Sequence, residues 1–186
     1  MGNEDIIKDQ ARAVRIQALA SHHDISGFDC GVDSLNTFLQ KHALAGPAHG
    51  LSQTWVAIDD DDVVLAFFTL RFATITPTSA TARVAKGVGG FDIPCILLAR
   101  LAVDKDLQGQ GLGSVILEDA MRKAVALGRT HPTDVTPALP VRAMLVHAKS
   151  SEAFRFYEAH GFEPSPTDPL HQLILLKDIA KSFRMD

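Results

Sequence analysis

The chain has 186 residues, 46% of them hydrophobic and 22% charged. That length and balance describe one domain with a real core and exclude a chain disordered throughout. A net charge of −4 excludes the broad basic footprint of a general nucleic-acid binder. No run reaches the roughly 20 apolar residues of a membrane-spanning helix.

Residues 1–10 read as a flexible, polar N-terminus. Glu4, Asp5 and Asp9 stand where a secretory signal would have its apolar stretch. Residues 11–20 read as a first strand, with Val14, Ile16 and Leu19 apolar. Asp24 to Gly31 is a polar loop. Asp33 is the expected N-cap of an amphipathic helix. Leu35, Phe38, Leu39, His42 and Ala43 share one face of it, and Gly46-Pro47 is the expected stop. Thr54 to Ile58 and Val63 to Phe72 read as strands. Asp59 to Asp62 between them reads as a hairpin turn rather than a metal cluster, because consecutive carboxylates point in alternating directions.

Pro77 to Gly90 reads as a loop or short helix. Pro94 to Val103 is an apolar run broken only by Arg100, as in a buried strand. Leu112 to Leu127 reads as a helix, with Gly128 as its C′ residue. Thr130 to Pro140 is a connector with three prolines. Val141 to Val146 is a strand, and Ser151 to His160 a helix ended by Gly161. Leu170 to Leu176 is the last strand, and Asp178 to Asp186 a polar tail. The strand–helix–strand order of the second half requires parallel neighbours. The fold class is α/β or α+β with a mixed sheet.

Cys30 and Cys95 have no metal-type spacing, so they read as reduced thiols of a cytoplasmic protein rather than a disulfide. The chemistry lies elsewhere. Gln108-Gly109-Gln110-Gly111-Leu112-Gly113-Ser114 joins a strand to a helix start. Glycines let backbone approach a bulky anion, and first-turn N–H groups point at it with a favourable dipole. A Walker loop fails for lack of Gly-Lys-Ser/Thr, and a dinucleotide fingerprint fails on glycine spacing.

This segment resembles the Gln/Arg-x-x-Gly-x-Gly/Ala motif of the GCN5-related N-acetyltransferases, the GNAT family. Ala153-Phe154-Arg155-Phe156-Tyr157-Glu158-Ala159-His160-Gly161-Phe162 resembles that family's Ala-x-x-Phe-Tyr-x-x-x-Gly-Phe signature. The resemblance implies a GNAT fold, a central twisted mixed β-sheet flanked by helices, in one domain over 11–180 with a tail at 181–186. It implies acetyl-CoA as donor and no metal. Gln108, Gly109, Gln110, Gly111, Leu112, Gly113 and Ser114 would cradle the pyrophosphate. Leu101, Ala102 and Val103 would pair with the pantetheine arm and the acetyl carbonyl. Ser151 would contact the pantetheine, and Tyr157 would protonate the leaving thiolate.

Phe28-Asp29-Cys30-Gly31, the apolar face from Leu35 to Ala43, and Phe162-Glu163-Pro164-Ser165-Pro166 are similar to acetyltransferase toxins of toxin–antitoxin pairs. That narrower resemblance implies transfer to the α-amine of aminoacyl-tRNA, a ribbon-helix-helix antitoxin, a homodimer and no membrane. Arg100 would meet substrate phosphate. Arg71, Arg83, Lys86, Arg122, Lys123, Arg142 and Lys149 are the other candidates for a basic patch. His147 is a candidate base. Two alternatives stand beside this reading: acetylation of a small cationic amine or a protein N-terminus, and a non-catalytic acyl-CoA-binding module.

Overall fold

The computed structural model describes residues 14–128 and 140–184. Two compact units divide the chain, Met1–Leu70 with Arg100–Asp119, and Arg71–Ala99 with Ala120–Asp186. Most of the expected connector at Thr130 to Pro140 lies outside the described residues, as do residues 1–13.

The first unit carries β1 (Arg15–Ala18), α1 (Asp33–Lys41), α2 (Ala45–Ala48), β2 (Gln53–Ile58) and the start of β3 (Val64–Ile75). It also holds the end of β4 (Ile93–Val103) and the start of α4 (Leu112–Gly128). Its strand order is β1-β2-β3-β4, and β1, β2 and β3 pair antiparallel. Phe28, Leu39, Val56, Ile58, Val64, Phe67 and Ala102 form the core, with Leu35 and Phe38 packed against it. The 3.6-residue spacing of α1 thus becomes its buried stripe.

The Asp59–Asp62 hairpin turn is held by charge and geometry. Asp59 Oδ1 accepts the N–H groups of Asp61 and Val63, each at 3.0 Å. Arg15 donates to the Asp59 carbonyl and to Asp62 Oδ1. Asp62 takes φ +61°, a left-handed conformation that aspartate tolerates.

Two expectations for this unit fail. Val32 is the N-cap of α1, and Asp33 lies inside the first turn, where its charge favours the helix dipole. Gly46-Pro47 does not stop a helix but sits within α2. Proline is accepted there because first-turn N–H groups have no intrahelical partner to lose.

The second unit carries the rest of β3, β4 and α4, with α3 (Ala82–Ala85), β5 (Ala143–His147) and α5 (Ser151–Ala159). β6 (Glu163–Pro164), β7 (His171–Leu175) and α6 (Leu176–Ser182) complete it. Its strand order is β3-β4-β5-β7-β6. β4 and β5 are parallel, from Cys95↔Ala143 to Leu98↔Val146, as the crossover through α4 requires. β7 runs antiparallel to β5 and β6. Val84, Ile93, Cys95, Leu97, Ala143, Leu145, Leu173 and Leu175 are core.

The polar tail is wrong in part. Residues 176–182 form α6, whose Leu176 and Ile179 are buried one turn apart, and Arg122 lies over the Phe183 ring. Gly128 is the last residue of α4 rather than a residue beyond it. Its need is space: a Cβ there would come within 2.5 Å of Leu176 Cδ1 and 3.3 Å of Val141 Cβ.

Candidate active site

In the first unit, β4 runs through Arg100, Leu101, Ala102 and Val103, past its last pair with β5 at Leu98. A strand without that neighbour can pair with an extended ligand. Asp104 then caps the 3₁₀ turn Lys105–Leu107, its side chain accepting the Asp106 N–H at 3.1 Å. Gly109 and Gly111 follow with φ +74° and +89°. A Cβ at either would meet nothing within 4 Å, so glycine is required by conformation and the space above it is open. α4 begins at Leu112, and the N–H groups of Ser114 and Val115 both turn back to the Gly111 carbonyl. The N–H groups ahead of them have no place in the helical ladder, and they suit an anion.

Gln108, expected at the pyrophosphate, also fastens the turn itself. Its Nε2 donates to the Cys30 carbonyl at 3.1 Å and to the Val103 carbonyl at 3.0 Å. Both amide protons therefore shape the turn. Gln110 Nε2 donates to the Asp106 carbonyl. The Arg100 guanidinium lies 3.8 Å over the Phe38 ring of α1.

In the second unit, α5 carries Ser151 and Tyr157. Ser150 caps it by accepting the Ala153 N–H at 3.1 Å. Ser151 is exposed in the first turn. Tyr157 is buried, edge-on to Phe156 and Phe162 at 5.3 and 5.7 Å between ring centres. Burial pushes its phenol up to about 12. Among the described residues nothing hydrogen-bonds its hydroxyl, and that oxygen is not among the sealed polar atoms without partners. Gly161, at φ +88°, ends the helix and returns Phe162 to the Tyr157 carbonyl. The amide of Gln172 on β7 donates to the Phe154 carbonyl at 3.2 Å, tying α5 to the sheet.

The family model of an acetyltransferase (GNAT) domain matches residues 50–164. A tRNA-acetylating toxin from Mycobacterium tuberculosis is 40% identical over 155 residues, 83% of this chain and 87% of its own. The chain belongs to the GNAT acetyltransferase family. Among solved structures, a tyrosine-to-phenylalanine mutant of KacT has TM-score 0.82 at 25% identity, covering 91% of this chain and 99% of its own. AtaT complexed with acetyl-methionyl-tRNAfMet shares the fold at 24% identity and TM-score 0.80, with the same coverage.

This GNAT chain is an acetyl-CoA-dependent N-acetyltransferase. Cys30 and Cys95 are free, buried thiols, raised by burial and in the case of Cys95 to about 11. Neither has the character of a nucleophile. His147 ends β5 and stacks on His171, centres 3.7 Å apart. Burial first and then the His171 charge lower its pKa. Of the candidate basic patch, Arg83 is paired with Glu163 and Asp178, and Arg142 donates to the carbonyls of Val84 and Lys86. No helix among the described residues is long and apolar enough to cross a membrane.

Sequence reasoning missed what supports the glycine turn. Asp29 and Asp104 are the residues concerned. Asp29 appeared only inside a quoted motif, and its partners on the turn, Asp104 and Lys105, lie 75 and 76 positions away, where no local period can reveal them.

Proposed function

We propose that this acetyltransferase moves acetyl from acetyl-CoA to the α-amine of aminoacyl-tRNA, blocking translation as a toxin. The observation that carries this reading is the 40% identity to a tRNA-acetylating toxin across 83% of the chain. Residues 11–180 act as one acetyltransferase domain. Leu101, Ala102 and Val103 pair with the pantetheine arm, and their N–H groups steady the developing oxyanion. Gly109, Gln110, Gly111, Leu112, Gly113 and Ser114 hold the pyrophosphate, and Gln108 fixes their turn. Ser151 contacts the pantetheine. Arg100, steadied by Phe38, meets acceptor phosphate.

The amine nitrogen attacks the thioester carbon, and the C–S bond breaks. The thiolate takes the Tyr157 proton, the amine gives its surplus proton to solvent, and the Tyr157 phenolate takes one back from solvent. Burial supports this role, because it keeps the phenol protonated. A thiolate released beside it into water-poor surroundings is raised as well, so the transfer stays nearer to matched. Binding both reactants in register supplies much of the remaining rate.

A cytoplasmic location, a homodimer and a ribbon-helix-helix antitoxin complete the proposal. An AtaT mutant toxin 26% identical to this chain has been solved bound to the C-terminus of the antitoxin AtaR and acetyl-CoA, which supports an antitoxin here.

The test is transfer from labelled acetyl-CoA to a total aminoacyl-tRNA pool, with Tyr157→Phe alongside. Label on tRNA that Tyr157→Phe strongly reduces is the expected result. No label on tRNA with acetyl-CoA binding intact would overturn it. The net charge of −4 would then direct the search to small cationic amines.

A further inference from the structure

The glycine turn of the first unit has bonds of its own and a second set of ties besides. It is fastened at its N-terminal end to the loop before α1. The Asp29 N–H donates to Asp104 Oδ2 at 3.0 Å. In return, the Lys105 N–H donates to the Asp29 carbonyl at 2.8 Å. Lys105 Nζ meets Asp29 Oδ2 at 2.8 Å. One residue further along, the Cys30 carbonyl accepts from Gln108 Nε2.

The other carboxylate oxygen of Asp29 faces the opposite way. Asp29 Oδ1 accepts the Gly31 N–H at 2.9 Å and Asn36 Nδ2 at 2.8 Å. Asn36 is in α1, and its Oδ1 accepts the Cys30 N–H at 3.0 Å. α1 is buried through Leu39 and ring-stacked through Phe38 on Phe67. A single carboxylate thus joins a core-anchored helix to the turn that precedes Gly109.

An exposed ion pair alone contributes little. Here the pair is one strand of a larger tie, in which Asp29 offers its N–H, its carbonyl and both carboxylate oxygens. The stretch beyond Gln108 contains two glycines at positive φ and is costly to order. Ordering it before the ligand arrives removes that cost from binding. Asp104 Oδ1 also caps the 3₁₀ turn, so one carboxylate carries both that cap and the bond from the Asp29 N–H.

We infer that Asp29 is a positioning residue for acetyl-CoA: it holds residues 104–108 against α1, so that Gly109 to Ser114 present their backbone in ligand-ready form. It touches no ligand atom in this role. Asp104, Lys105 and Asn36 are its working partners, and Gln108 fastens the turn to Cys30 beside it.

The experiment is calorimetric titration of free CoA, with no acceptor present, onto wild type, Asp29→Ala and Asp29→Asn. Acceptor-free binding keeps this test independent of the tRNA reading. Asp29→Ala is expected to weaken CoA about tenfold, the scale of losing a charge-assisted tie to a loop. KM for acetyl-CoA should rise in step, while kcat at saturating acetyl-CoA stays within about twofold. Asp29→Asn keeps the α1 side of the tie and should fall between. A merely structural role would lower thermal stability and leave the CoA affinity of the folded fraction unchanged. If Asp29→Ala does not fold, Lys105→Met serves in its place: it should weaken CoA in wild type but not in an Asp29→Asn background. Wild-type CoA affinity in folded Asp29→Ala, or an equal effect of Lys105→Met in both backgrounds, would overturn the inference.

Discussion

The turn after β4 and the helix α5 are built by opposite means. Around the turn, polar groups dominate: Asp29, Asp104, Lys105 and Gln108 interlock through side chains and backbone. Around Tyr157 the contacts are aromatic, and the hydroxyl has no protein partner among the described residues. On the function proposed above, the two tasks differ in the same way. An anion site must aim several donors in fixed directions, and hydrogen bonds do that. A proton donor must keep its proton until charge develops beside it, and burial of the ring does that.

The largest effect should come from Tyr157→Phe. The aromatic packing survives and only the proton is lost, so kcat should fall by about 10²–10³. CoA affinity by calorimetry should stay at the wild-type value. A fall in CoA affinity would mean that Tyr157 belongs to binding, and the contrast between the two regions would break. A second signature concerns alkali. The folded phenol is raised from 10 to about 12, so its contribution to stability is complete below pH 10 and lost between there and pH 12. Alkaline melts of Tyr157→Phe should lack that loss.

Next come paired glycine substitutions, one in each region. Gly111 and Gly161 sit at φ +89° and +88°. Alanine at such a φ costs about 1–2 kcal/mol. A Cβ at Gly111 meets nothing, and one at Gly161 only touches Ile174 at 3.5 Å, so strain is the shared term. In Gly111→Ala the turn should relax away from its shape, and CoA binding should weaken about tenfold, with little change in melting temperature. In Gly161→Ala the helix end is locked by the sheet, so the melting temperature should drop and CoA affinity hold. Equal effects on both readouts would erase the distinction between a loop waiting for a ligand and a packed helix end.

Much of this was legible from local pattern. The Gly109–Gly113 spacing, the apolar face of Leu35, Phe38 and Leu39, and the β4–α4–β5 order all act over short distances. Residues that succeed locally leave a local trace. The failures share another cause. Asp33 carries every property of an N-cap, yet the backbone begins the helix one residue earlier. Gly128 looks like a C′ glycine, yet its constraint is Leu176, far along the chain. Residues 178–182 are mostly polar, and only the pair Leu176 and Ile179 betrays a helix. Tertiary partners decide these cases, and one-dimensional patterns do not contain them.

His147 offers a smaller, pH-dependent contrast within the second unit. Its ring is faced by His171, Asp168 and Arg71. Burial, then His171, lower its pKa, and Asp168 opposes them. The folded state therefore binds this proton less readily than the unfolded chain. The contribution to stability is complete above the unfolded value of about 6.5 and is lost as pH falls through the folded one. His147→Asn should flatten the decline of melting temperature on the acid side of neutrality. An unchanged acid limb would assign that decline to other groups. If His147 were the base for the acceptor amine, His147→Asn would also shift the acid limb of kcat/KM. On the reading proposed above, that limb stays where it is.

The smallest effect is expected at Arg83, and it sharpens where RNA can bind. Its guanidinium is divided between Glu163 and Asp178, one nitrogen to each. A side chain so engaged must abandon two carboxylates before it can meet a phosphate. Removing one phosphate-binding cation from a nucleic-acid interface lowers the salt dependence of binding by about one unit of slope. Arg83→Gln should leave the slope for tRNA unchanged and alter stability only slightly, since exposed pairs contribute little. The Arg100 guanidinium lies over the Phe38 ring, which orients it. Arg100→Gln should reduce the slope by about one. Equal slopes for the two variants would remove Arg100 from the RNA interface. A reduced slope in Arg83→Gln would mean that RNA displaces Glu163 and Asp178, so that the second unit contributes cations it otherwise keeps for itself.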